Sequence, residues 1–103
     1  MAKSVIEAGV CGMTTEVKTL DKDGKMLVEI DSECPHYDGL SEEIGAIDGM
    51  MAAFDKVGTG AIYDACRKTC PHGSCPVPMG ILKTVEVGSG MALPGDVTIK
   101  LEK

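Results

Sequence analysis

Between residues 14 and 31 the chain alternates. TTEVKTL, residues 14 to 20, exchanges polar and apolar positions in part, and KMLVEID, residues 25 to 31, sets Met26, Val28 and Ile30 on one face. A period of two marks a half-buried strand. The intervening DKDG, 21 to 24, ends in glycine and reads as a turn, so the segment predicts a β-hairpin. SVIEA, 4 to 8, is short and β-prone, and VTIKL, 97 to 101, alternates cleanly. These predict a first and a last strand. Gly9 and Gly12 flank Cys11, which places a bend there.

After Pro35 the period changes. Leu40, Ile44, Ile47, Met51 and Phe54 recur at spacings of four, three, four and three, the helical period. Gly45 and Asp48-Gly49 interrupt it, which predicts two short helices, with Asp48 capping the second. After the break GTG, 58 to 60, Thr59 is placed to cap a helix from about residue 60 to 69, with Ile62 and Cys66 facing inward. Pro71, Gly73, Pro76 and Pro78 form a loop. Residues 76 to 90 predict the longest helix, with Met79, Ile81, Leu82 and Val85 on its apolar face and Gly88 and Gly90 at its end. The sum is a single α+β domain, 1 to 103. The expected architecture is a two-layer sandwich: a mostly antiparallel sheet of about four strands (the hairpin plus the first and last strands) with three to four helices on one face.

Composition adjusts this picture in two ways. Aromatics are limited to Tyr37, Phe54 and Tyr63, with no Trp. The core is therefore aliphatic, and a bound metal or a second subunit would help to stabilise it. The formal net charge of −6 opposes a phosphate backbone, so nucleic acid is not an expected partner. No apolar run approaches the roughly 20 residues needed to span a bilayer, and MAKSVIEAGV lacks the apolar stretch of a secretory leader. A cytoplasmic location with no membrane association is expected, and a protein partner is left open.

Five cysteines, Cys11, Cys34, Cys66, Cys70 and Cys75, are many for a reducing compartment, where thiols stay free, bind metal or do chemistry. All lie at or near predicted element ends. Cys66 and Cys70 are one helical turn apart. The tripeptide Cys-Pro-His occurs twice, at Cys34–His36 and Cys70–His72. Thiolates and imidazoles suit zinc, and thiolates suit iron–sulfur clusters. The first-choice ligands are Cys11, Cys34, Cys70 and Cys75, with Cys66, His36 and His72 in reserve, although the spacings match neither a paired CxxC ribbon nor a ferredoxin run. A competing reading makes the cysteines small buried hydrophobes and the histidines exposed loop residues.

A further reading concerns Cys75 alone. In Cys75-Pro76-Val77-Pro78 the cysteine falls at the expected N-cap and Pro76 at the first helical position, where its missing N–H is no loss. Unpaired helix N–H groups favour an anion there, and so a more acidic, more reactive thiol. This Cys-Pro-Val-Pro start, the amphipathic helix after it and the Pro94-Gly95-Asp96 approach to a strand resemble the small sulfur-carrier proteins of the TusA/SirA-like family. That resemblance implies a two-layer α/β fold and a persulfide-carrying role for Cys75. The whole chain, through VCGMTT (10 to 15), the Cys34 region and residues 75 to 99, also resembles an uncharacterised family of about 100-residue proteins from anaerobic bacteria and methanogens. That second resemblance implies no catalytic activity.

Other chemistry is poorly represented. GTGA, 58 to 61, lacks the lysine and spacing of a phosphate loop, and DKDG is too short for a calcium loop. The sequence thus leaves three expectations. One is a thiolate-ligated zinc or iron–sulfur module, and another a sulfur-carrier or redox thiol acting through Cys75. The third is a binding or assembly domain with structural cysteines.

Overall fold

Three antiparallel strands form the sheet, in the order β1 (Lys3–Glu7), β2 (Thr14–Lys22), β3 (Lys25–Ser32). The computed structural model describes all 103 residues. Asp23 and Gly24 join β2 to β3 with φ of 52° and 79°, as a two-residue type I′ turn requires. The register sets Val17 opposite Ser4 and Ile30, and Thr19 opposite Val28. Thr15, Val17, Thr19, Met26, Val28 and Ile6 are buried, while Glu16, Lys18 and Glu29 are exposed. One face of the sheet therefore carries the core and the other faces water.

The helical layer follows in chain order. A short 3-10 helix, Pro35–Tyr37, leads into α1 (Leu40–Ile44) and α2 (Gly49–Ala52), then α3 (Gly60–Thr69) and α4 (Val77–Gly88). Helix α4 lies on β1 and β2, and α3 packs against α1 and α4. Val77, Ile81 and Val85, spaced four apart on α4, are essentially free of solvent contact, and with Val17 they form the centre of the core. Gly80 and Gly88 let the helix approach closely: a Cβ at Gly80 would run into the Ile6 side chain, and one at Gly88 into Thr19.

Polar groups inside are paired. Thr19 Oγ1 accepts the Ala2 N–H at 2.9 Å, Thr15 and Ser32 share a hydroxyl hydrogen bond at 2.7 Å, and the Thr84 and Ser4 hydroxyls meet at 2.6 Å. No buried side-chain nitrogen or oxygen lacks a partner, which removes the penalty of an unmet buried donor or acceptor.

Several expectations are corrected. The sheet has three strands, not four: residues 91 to 103 form no regular structure, and Leu93, Val97, Ile99 and Leu101 are exposed. Alternation defines two faces of a segment, but a strand also needs a free edge within reach. Met51 and Phe54 are exposed as well. Helix α2 is a single turn that buries Ala52 instead, so the helical spacing does not carry through. Asp48 caps α2, accepting the Met51 N–H at 3.1 Å. Thr59 stands at the N-cap of α3 without a side-chain cap bond, and its hydroxyl donates to the Lys56 carbonyl instead.

Candidate functional site

The site begins with how α3 ends. Cys66 lies on the buried face of α3 and Cys70 is its C-cap, in extended geometry, its N–H still donating to the Cys66 carbonyl at 2.8 Å. Pro71 follows, and a residue before proline is biased away from the helical region. The chain then turns back at Gly73-Ser74, with the Cys75 N–H donating to the His72 carbonyl at 3.2 Å. That turn returns Cys75 towards Cys70.

Tyr37 joins the two. It is buried at the end of the 3-10 helix that begins after Cys34. Its hydroxyl lies 2.8 Å from Cys70 Sγ and 3.0 Å from Cys75 Sγ, positioned to donate to either sulfur. Burial and the two neighbouring thiols raise the Tyr37 pKa far above that of a free phenol. The hydroxyl keeps its proton and stays a donor. Cys70 in turn directs its thiol to the His72 carbonyl, with sulfur and oxygen 3.7 Å apart. Cys66 completes the cluster from within: burial, with Cys70 and Cys75 nearby, pushes its thiol up to about 12.

The two Cys-Pro-His tripeptides, far apart in the chain, thus meet in space. The residue after the first, Tyr37, touches the cysteine of the second, and the rings of His36 and His72 stand edge to face with centroids 6.2 Å apart. An open groove of about 340 Å³ runs beside the thiols. Cys66, Cys70, Cys75, His72, Tyr63, Arg67 and Met79 line it, and Ile99 of the C-terminal segment contributes to its wall. Arg67 is held by Asp64 at 2.9 Å and by the Gly58 carbonyl at 2.6 Å.

The remaining candidates are placed differently. Cys34 is half-buried at the N-cap of the 3-10 helix and packs against the core, and its N–H donates to Ser32 Oγ, 3.1 Å away. Cys11 is exposed in the β1–β2 connection, where Gly9 and Gly12 adopt φ of 95° and 71°. That connection and Cys34 sit at the same end of the sheet, because Thr14 and Glu33 bond each other through backbone and side chain. All five cysteines are free thiols. No three His, Cys, Asp or Glu side chains form a ready-made metal cage. Cys75 stands one residue before the N-cap of α4, which is Pro76; its sulfur meets the Tyr37 hydroxyl rather than a helix N–H.

Tyr37 was not among the residues singled out from the sequence. The signal was present, since a buried tyrosine needs a partner for its hydroxyl and this one directly follows a Cys-Pro-His tripeptide. What the sequence does not carry is the partner's identity.

Fold and site together define a class: a small α+β protein whose helical layer gathers thiols around one buried tyrosine. Residues 2–101 match a family of unknown function (DUF6951), and the chain belongs to that family. No curated protein and no solved structure matches it. No helix is long and apolar enough to cross a membrane.

Proposed function

We propose that the protein binds a thiophilic metal, zinc or an iron–sulfur cluster, where its two Cys-Pro-His tripeptides meet. One observation carries this reading: a single hydroxyl, that of Tyr37, reaches the sulfurs of both Cys70 and Cys75. Two sulfurs served by one oxygen are close neighbours, and paired thiolates are the ligands soft metals prefer. Cys66 and His72 line the same groove and are the candidates for the third and fourth donors, which have to close on the ion because no three donors stand preassembled. Tyr37 then acts as an outer-shell donor to metal-bound thiolates, the arrangement that orients ligands and tunes a site. Free thiols fit a reducing compartment. Metal analysis of anaerobically purified protein tests the reading. Bound zinc or iron is expected, lost in Cys70→Ser and Cys75→Ser and retained in Cys11→Ser. Protein that takes up neither zinc nor iron on reconstitution overturns it.

A second reading rests on a separate observation: no three donors are already arranged as a cage, while Cys75 lines an open groove. In this reading Cys75 acts as a thiol nucleophile in sulfur handling or redox exchange, with Cys70 as its neighbour. Alkylation rate against pH separates the two. The thiol reading expects Cys75 in metal-free protein to react faster at pH 7 than a model thiol of pKa about 8.5. A rate no faster than the model thiol removes it.

A further inference from the structure

The segment from Asp96 to Leu101 has the alternating sequence of a strand but forms no strand in its own chain. Val97, Ile99 and Leu101 alternate with Asp96, Thr98 and Lys100, and the three apolar side chains are 51, 68 and 88 % exposed. The sheet meanwhile ends at β1, which pairs with β2 alone. An unpaired edge carries a row of free backbone groups ready to accept another strand. The chain's own tail does not use it: Ile99 instead lines the groove that Pro78 and Met79 also line.

We infer that segment 96–101 adds as a fourth strand to β1 of a second copy of this chain, and that the exchange is reciprocal. Helix α4 sets the direction. Its Gly80 lies against Ile6, its Thr84 bonds Ser4, and its Gly88 lies against Thr19, which binds Ala2. The helix therefore runs antiparallel to β1, a tail turning back after α4 onto that open edge would run parallel to β1, and the exchange keeps this seat and fills it from the partner chain. In the parallel register that sets Ile99 beside Ile6, Val97 lies beside Ser4 and Leu101 beside Ala8, on the core side. On the water side Asp96 then faces Lys3, Thr98 faces Val5, and Lys100 faces Glu7. Both charged pairs are of opposite sign, and cross-strand pairs of this kind favour one register over its neighbours. The exposed Val5 gains a neighbour as well. A reciprocal exchange gives a closed two-fold dimer with no strand left over.

The test uses charge reversal in the full-length chain, read by sedimentation velocity over a range of concentrations. The wild type is expected at about twice its 10.8 kDa chain mass. Lys3→Glu/Glu7→Lys makes one variant and Asp96→Lys/Lys100→Glu the other. Each alone faces like charges, and its dimer dissociation constant should rise about tenfold or more. An equimolar mixture of the two restores opposite charges at both interfaces and should dimerise again. Ile99→Asp, on an exposed side chain, should abolish dimerisation while leaving the circular dichroism of the fold intact. A monomeric wild type overturns the inference, and so does a dimer indifferent to Ile99→Asp. Variants that fail to recover on mixing do so too, since a tail folding back onto its own β1 cannot be rescued by a second chain. Because Ile99 also stands at the wall of the thiol groove, sedimentation is read with and without added zinc, and the inference requires the dimer in metal-free protein.

Discussion

Tyr37 concentrates the chemistry of the site in one side chain. It is the buried aromatic of a core that is otherwise aliphatic, and its ring fills the space between the 3-10 helix and the end of α3. Its hydroxyl is the feature with no packing purpose, since a phenylalanine would occupy nearly the same volume. Tyr37→Phe therefore isolates the O–H···S contacts. The fold should persist with a loss of about 0.5–1.5 kcal/mol in urea denaturation, the ordinary worth of a hydrogen bond. If the proposed site holds zinc, its affinity in a chelator competition should fall by a larger factor, roughly 10- to 100-fold, as expected for loss of an outer-shell donor. An affinity unchanged within error would show that the hydroxyl is a structural filler.

At the scale of elements, the fit of α4 on the sheet decides stability. Gly88 illustrates a conflict between local and tertiary preference. In isolation, Gly88→Ala should favour the helix by up to about 1 kcal/mol. In the fold, the added methyl meets Thr19, whose Cβ is 3.2 Å away and whose hydroxyl is committed to the Ala2 N–H. A branched, buried side chain in that position cannot rotate clear without breaking its hydrogen bond. The tertiary term should win, and Gly88→Ala should be less stable than wild type by about 1–3 kcal/mol, seen as an earlier urea midpoint at unchanged slope. The elements also show where sequence reading succeeds. The hairpin and α3 follow their expected spans closely because period and turn chemistry agree at each. Helix α4 spans Val77–Gly88, shorter at both ends than residues 76 to 90, because helix ends depend on local hydrogen bonds that periodicity does not carry. The expected final strand does not form for the same kind of reason: pairing belongs to two segments, and the alternation of 97 to 101 describes only one.

For the molecule as a whole, the loop between α3 and α4 and the 3-10 helix are joined by the Tyr37 contacts and by the two histidine rings. A metal held there as proposed would tie the helical layer to the turn after β3 and bind only the folded chain. Ligand at about 100 times its dissociation constant stabilises by about 2.7 kcal/mol. In a domain of this size each kcal/mol moves the melting temperature by about 4–8 °C. Chelation of the purified protein should therefore lower Tm by about 10–20 °C, and re-addition of the metal should restore it. A melting curve indifferent to chelator would count against a structural metal.

The amino-acid sequence by itself determined the hairpin, the first strand, helices α3 and α4 to within a few residues, the inward faces of the hairpin and α3, and the inventory of thiols and imidazoles, because periodicity and residue chemistry are local properties. It also contained the doubled Cys-Pro-His, without saying that the copies meet. Tertiary structure alone decided that Cys70 and Cys75 share the Tyr37 hydroxyl, that Cys66 stands behind them, and that Cys11 remains on an exposed turn. Such groupings are fixed by how α3, the loop after it and the 3-10 helix pack on one another. Distances between residues far apart in the chain follow from that packing and leave no periodic trace along it.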